Sequence, residues 1–391
     1  MAGAHLTSRY ADYAAAAELS VLGRHLRRPW FAPWARLART AHPPAPEHRT
    51  FATYHYWWQA HVLETLVDAQ LRDPRPGRRR VVARWAGALA LRNRGWLNPY
   101  YDDIAWLGLA LDRAERDLAL RFPRPLAAVT DALVEAWDPR PLGGGVPWRV
   151  GDAFRNVPAN GPMTILLARR GRLERAGEAL AWMDAHYLDP ETGLVVDGIR
   201  PAAGGAGHTV DRVFHSYNQG LLLGAEVAVL RAGLALGVAG EDDVAATGVR
   251  VHRLVGAVDR CMAQDRVLTG YAGRAETGGD AGLFGGILAR YLALVVTDLP
   301  GQGAEAVEAR RVAYELLAAS ADEVWRHRAV DATGAWFGPD PRVPARIPGR
   351  GDALATGASA AGVGSAAVPE RDLSVQAGAW MLLEAAARAD R

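Results

Sequence analysis

Apolar residues return every three to four positions along almost the whole of this chain, and the alternation that marks a half-buried strand is nearly absent. Each such helix carries an apolar stripe that it must bury against other helices. The periodicity predicts helices over 8–24, 52–72, 78–92, 101–119, 124–137, 156–170, 172–187, 216–234, 243–264, 283–297, 303–328 and 371–388. Turn signals such as Asp73-Pro74-Arg75-Pro76-Gly77, Asp138-Pro139-Arg140-Pro141 and Asp189-Pro190-Glu191-Thr192-Gly193 punctuate them. About twelve helices without a sheet suggest an α-solenoid or a closed (α/α)6 barrel. A solenoid requires self-similarity at a fixed period, and none is present. Short connections alternate instead with long ones rich in Gly, Trp, Asn and His, which fits two rings of helices with long loops on one face. We therefore expect an all-α, (α/α)6 barrel in which residues 1–391 form one domain. The Gly/Ala/Pro-rich segment 339–369 is either a mobile loop over a site or a surface insertion.

Charge is almost balanced, with 45 Lys plus Arg against 43 Asp plus Glu, so composition points to no polyanionic partner. The basic residues show no strong interleaving with aromatics of the kind a nucleic-acid groove requires. Cys261 is the only cysteine, which excludes an intrachain disulfide and a Cys-based zinc site. The scattered histidines show no ligand spacing, and no metal or cofactor is expected. No apolar run long enough to suggest a membrane span stands out. Ala14 to Leu22 is interrupted by Glu18, and its positive cluster follows it, so it is not a secretory signal. On these grounds the chain reads as cytoplasmic, and nothing in it signals an oligomeric state.

Asp102 and Asp103 stand side by side at the predicted start of an amphipathic helix. Glycoside cleavage with retention uses two carboxyls about 5–5.5 Å apart. Neighbouring helical residues hold theirs at roughly that separation, although they point about 100° apart around the axis. The first turn of a helix favours negative charge, and like-charge repulsion keeps one of two close carboxyls protonated. An isolated Asp-Asp pair at such a place reads first as a capping pair. Its surroundings decide between the two.

Four further stretches mix aromatic rings with amides or acids, the combination that sugar recognition needs. Tyr54-His55-Tyr56-Trp57-Trp58-Gln59-Ala60-His61 puts both Trp57 and Trp58 on a face with His61, or is an aromatic core stripe. Gly143-Gly144-Gly145-Val146-Pro147-Trp148, followed by Asn156 and Asn160, lets backbone approach a ligand over Trp148, or is a flexible turn. His215-Ser216-Tyr217-Asn218-Gln219 offers more donors and acceptors than one helix cap can use. Asp197 sits in a short turn and either faces a cleft or is a turn acid. No Gly-x-Ser-x-Gly elbow, His-Glu-x-x-His helix or phosphate-cradling loop is present.

Taken in order, these stretches resemble glycoside hydrolase family 76, the endo-α-1,6-mannanases, over roughly residues 50 to 297. Tyr101-Asp102-Asp103-Ile104-Ala105-Trp106 resembles the family's paired-aspartate motif, and Gly144-Gly145-Val146-Pro147-Trp148 its Gly-Gly-x-x-Trp segment. Asn156 and Asn160, Val196-Asp197-Gly198-Ile199, Ser216-Tyr217-Asn218-Gln219-Gly220 and the block from Gly282 to Leu292 follow in register. Gly285 stands where that block often carries lysine. The resemblance implies an (α/α)6 barrel that hydrolyses α-1,6-mannosidic bonds of mannan or mannooligosaccharides with retention, with Asp102 as nucleophile and Asp103 as general acid/base. Tyr217, Asn218 and Gln219 would hold sugar hydroxyls, and Trp57, Trp58 and Trp148 would offer stacking surfaces. His61, Tyr101, Asn156, Asn160 and Asp197 complete the expected substrate contacts. The rival readings are an exo-α-mannosidase or sugar epimerase on the same scaffold, and a carbohydrate-binding homologue without catalysis.

Overall fold

A computed structural model describes residues 8–140, 142–202, 207–353, 358–359 and 362–391. Its helices are α1 (Arg9–His25), the single turn α2 (Pro46–Arg49), α3 (Tyr56–Arg72), α4 (Pro76–Asn93), α5 (Tyr101–Leu118), α6 (Pro123–Glu135), α7 (Val157–Arg169), α8 (Leu173–Tyr187), α9 (Ser216–Ala235), α10 (Glu241–Met262), α11 (Phe284–Asp298), α12 (Ala304–Arg326) and α13 (Leu373–Ala389). Each predicted helix is found, with ends shifted by a few residues. The largest shift is at 52–55, which stay outside α3, with His55 at φ 41° ahead of its first residue.

The helices form two rings. α3 packs on α5, α5 on α7, α7 on α9, α9 on α11 and α11 on α13, and α13 returns to α3, which closes the inner ring. α1, α4, α6, α8, α10 and α12 lie outside it. Sequence sets this division. Every residue of α7 from Val157 to Ala168 and of α13 from Leu373 to Ala387 is buried, as a helix walled in on all sides requires. α10 instead opens with Glu241, Asp242 and Asp243 and buries one stripe. The fold is thus the expected (α/α)6 barrel.

Residues Gly279–Asp298 have the length and hydropathy (1.4) of a membrane span, a feature the sequence reading passed over. They form the approach to α11 and α11 itself, and 72% of the window is buried inside the barrel. That burial accounts for its apolar character. Small antiparallel strand pairs, also unforeseen, tie the loops: Leu26–Arg27 with Leu37–Ala38, Arg155–Asn156 with Gly198–Pro201 and His208–Asp211, and Ala329–Asp331 with Gly334–Trp336. They are too short to show a period-2 pattern.

Linkers that follow inner helices are brief (73–75, 119–122, 170–172, 236–240 and 299–303), whereas most of those that precede inner helices are long (26–55, 136–156, 188–215, 263–283 and 327–372). The long loops therefore gather over the N-terminal ends of the inner helices. At the opposite end a cavity of about 750 Å³ is lined by side chains from all six inner helices, Asp68, Arg113, Arg169, Val227, Arg290 and Glu384 among them. Its acids are taken up by neighbouring cations: Glu64 by Arg290 at 2.7 Å, Asp68 by Arg113 at 2.7 Å and Glu384 by Arg72 at 2.9 Å.

Glycine lets α11 and α13 cross with their backbones touching. A Cβ on Gly378 would lie 2.2 Å from the Gly282 carbonyl oxygen, and one on Gly286 2.5 Å from that of Gly378. Backbone cannot yield as a side chain can, so Gly378→Ala is expected to cost about 1–3 kcal/mol or more. A fall in the urea midpoint with an unchanged m-value would show it.

Candidate active site

The loops and inner-helix starts enclose a polar floor on which Asp102 and Asp103 are half-buried in the first turn of α5. Their surroundings differ. Asp102 accepts two hydrogen bonds, from the Asp103 amide at 2.9 Å and from Trp148 Nε1 at 3.0 Å. Asp103 accepts one, from Asn98 Nδ2 at 2.7 Å. Burial raises the pKa of Asp102 to about 7, with these donors pulling the other way. Burial, and then the charge of Asp102, hold Asp103 well above the ordinary carboxylate range. Donors favour the charged form, so Asp102 ionises first while Asp103 keeps its proton. The two titrate as a linked pair.

A third carboxyl, Asp280, was missed in the sequence. It accepts Trp57 Nε1 at 3.0 Å, Trp58 Nε1 at 2.8 Å and the Val363 amide at 2.7 Å. Burial raises its pKa despite those three donors, and its charge pushes both catalytic candidates up. The signal was indirect: two adjacent tryptophans on a buried helix start require an acceptor for their N–H groups. Val363 belongs to the 339–369 segment, so that segment reaches the floor; its residues 354–357 and 360–361 lie outside the described ones.

His215, the first residue of the His215–Gln219 motif, is the N-cap of α9. Burial lowers its pKa, but Glu276 (3.6 Å) and Asp197 outweigh burial and the net shift is upward. Asp197 is half-buried, accepts Asn218 Nδ2 at 2.9 Å, and is raised by burial against the pull of His215. Tyr217 stacks on Phe284 at 3.9 Å and 11°.

Of the expected substrate contacts, Trp57, Tyr101, Trp148 and Asp197 come together, partly exposed, with the aspartates at this end of the barrel, and Tyr217 lies there too but buried. The others are taken into the wall. Trp58 is buried on Asp280. His61 packs on Trp106 at 4.5 Å, and burial, with Arg290 beside it, holds its pKa well below normal. Asn160 is fully buried and grips Val146 by both backbone groups, at 2.7 and 2.9 Å. Gln219 grips Val195 the same way, at 2.7 and 2.8 Å. Asn218 is fully buried behind Asp197, and Asn156 is buried at the N-cap of α7. The glycines at 144 and 145 make room for Trp137 and Trp182, not for a ligand: a Cβ on either would lie 2.6 Å from one of those rings. Gly285, at the family's frequent lysine position, faces a small cavity of about 70 Å³ beside Glu276, whose carboxylate bonds the Ser216 amide at 2.8 Å.

Two adjacent carboxyls with unequal hydrogen-bond donors among aromatic rings, at the loop-rich mouth of an (α/α)6 barrel, have the arrangement that glycoside cleavage calls for. The chain belongs to glycosyl hydrolase family 76, whose family model matches residues 40–340. Its fold is that of the α-1,6-mannanase GH76A from Salegentibacter sp. HEL1_6, with TM-score 0.75 and 22% identity over 97% of this chain and 99% of that one. An inactive variant of that enzyme, with two successive aspartates replaced by asparagine, in complex with α-1,6-mannotriose, matches at TM-score 0.74 and 21% identity over 97% and 99%. Dfg5 from Chaetomium thermophilum, in complex with glucosamine, matches at TM-score 0.70 and 19% identity over 97% of this chain and 89% of that one. No curated protein matches the sequence.

Two outcomes follow from the electrostatics. Because the folded pKa of Asp102 lies above its ordinary value, the folded state binds that proton more tightly than the unfolded chain does. Stability from this group is complete below about pH 4 and is lost as pH rises through about 7. Asp102→Asn should therefore melt higher than the parent, by a margin that widens between pH 5 and 8. Trp148→Phe removes a donor to the charged carboxylate, so the acid limb of the kcat profile should move up by about one pH unit.

Proposed function

We propose that this family 76 enzyme cleaves α-1,6-linked mannooligosaccharides or mannan with retention of anomeric configuration. The carrying observation is the unequal hydrogen bonding of Asp102 and Asp103, which gives one ionised and one protonated carboxyl side by side near neutral pH. Asp102 attacks the anomeric carbon while Asp103 gives its proton to the departing glycosidic oxygen, leaving a mannosyl ester on Asp102. Water then enters, Asp103 takes its proton, and the C–O bond of the ester breaks to release an α-anomer. Asn98 orients Asp103 by its hydrogen bond, and Trp148 steadies the Asp102 carboxylate. Trp57 and Trp148 offer ring faces to the pyranoses, and Asp197 accepts from their hydroxyls.

Support for the linkage comes from the family and from structural relatives described as α-1,6-mannanases. An epimerase needs two bases working near neutrality on either side of one carbon. Burial leaves His61 uncharged and remote from solvent, and lowers His55 to about 4, so neither of these two suits that chemistry. On the same reading the enzyme works as one domain in the cytoplasm, on imported oligosaccharides or a glycolipid mannan.

The purified protein should hydrolyse α-1,6-mannotetraose and release the α-anomer first in a time-resolved proton NMR spectrum. Asp102→Asn and Asp103→Asn should each lower turnover by at least about a thousandfold with the fold retained. A β-anomer as first product would remove the double displacement, and hydrolysis of other linkages alone would remove the mannanase assignment.

A further inference from the structure

Two stretches of the chain hold no acidic residue. Residues 19–46 carry five arginines and residues 74–101 carry seven. The fold brings these stretches together. The loop 28–36 lies along the outer side of α4: the Trp34 ring packs beside Gly87, and Arg84 donates to the Trp34 carbonyl at 3.2 Å. From the far end of α4, Arg92 donates to the Phe51 carbonyl at 2.9 Å, and Trp30 Nε1 donates to that of Thr50 at 3.1 Å. Arg80, Arg84, Gly87 and Leu91 follow one another at helical spacing along this side. Some arginines of these stretches are spent on structure, such as Arg78 on Glu18 and Arg24 on the Ala335 carbonyl. Arg28, Arg36, Arg80, Arg84 and Arg94 are exposed, and none of them forms an ion pair among the described residues.

Among these charges stand large apolar side chains in solvent. Trp30 is 77% exposed, Trp34 50% and Leu91 53%. Scattered single apolar residues need no explanation, but tryptophans grouped with unpaired arginines are a different matter. The sequence reading found no interleaving of basic and exposed aromatic side chains. The loop itself carries one, with Arg28, Trp30, Trp34 and Arg36 all exposed, and the fold enlarges it by setting the arginines of α4 beside it.

We propose that this face docks on an anionic phospholipid bilayer, with Trp30 and Trp34 in the headgroup layer and the arginines on lipid phosphates. Tryptophan favours that layer, and unpaired cations there gain from the negative surface potential. A single-stranded nucleic acid also offers phosphates and stacking partners. Leu91, and Leu97 at 43% exposure, decide against it, since aliphatic side chains gain from the acyl boundary and have no use in base stacking. The C-terminal end of α4 adjoins the catalytic floor: Asn93 accepts from Tyr54 Oη at 3.1 Å, and Asn98 bonds Asp103. Docking there brings the mouth of the barrel close to the membrane, where a lipid-linked glycan would be presented. The binding itself does not rest on the mannanase assignment, because it can be read without turnover.

The test is co-sedimentation of the full chain with phosphatidylglycerol-containing vesicles and with pure phosphatidylcholine vesicles. Binding to the first alone, weakened by salt, is expected. Arg28→Gln with Arg80→Gln should lower the partition coefficient by about 25-fold, from about fivefold for each cation lost. Trp30→Ala should lower it severalfold, and Leu91→Ser should do the same. All these residues are exposed, so melting temperature and hydrolysis of soluble oligosaccharide should not change. Equal sedimentation with both vesicle types, none with either, or displacement from vesicles by single-stranded RNA would each overturn the proposal.

Discussion

Buried amide side chains hold the loop-rich end of this barrel together. Gln59, Asn160, Gln219 and Gln376 are each the fourth residue of an inner helix, α3, α7, α9 and α13. Each accepts from the N–H and donates to the C=O of one residue in a long loop, respectively Ala38, Val146, Val195 and Phe337. A loop over a barrel mouth cannot satisfy all its backbone groups internally, and each group left unpaired in the interior costs about 1–3 kcal/mol. The amide supplies a donor and an acceptor at fixed spacing, as a neighbouring strand would. Two of these grips act close to the candidate site. Val146 lies two residues before Trp148, which bonds Asp102, and Val195 two before Asp197.

The loops so fixed impose an electrostatic cost that the site exploits. Removing water from Asp102 and Asp103 raises both pKa values, and Asp280, held by two indoles and an amide, raises them further. In water both carboxyls would ionise at pH 7. Here the number of donors separates them, and the indole of Trp148 is the donor supplied from a distant loop. The stability given up at this end is supplied elsewhere, by the buried walls of α7, α9, α11 and α13.

The helices were legible because burial on one side leaves a periodic trace whatever the partner. The aspartate pair was legible for a similar reason, since adjacency on one helix is a local fact. Amide roles were not. Asn160 and Gln219 in a sugar-binding motif look the same whether they face a hydroxyl or a loop backbone, and the structure spends them on backbone. Trp58 points about 100° round the helix from Trp57, and His61, though on the face of Trp57 with ring centroids 5.3 Å apart, sits one turn deeper in the barrel, so both belong to the wall. Asp280 left only an indirect trace, the need of Trp57 and Trp58 for an acceptor, because those partners lie more than two hundred positions earlier.

By itself the sequence determined an all-helical double ring, the end of the barrel where long loops gather, and the adjacency of two carboxyls, because each is written in local periodicity or neighbouring positions. Tertiary structure decided which carboxyl gains the extra donors, which amides serve the wall, and that two acid-free stretches share one surface. Those depend on contacts between residues far apart in the chain, whose energies come from burial and from the geometry of the closed ring.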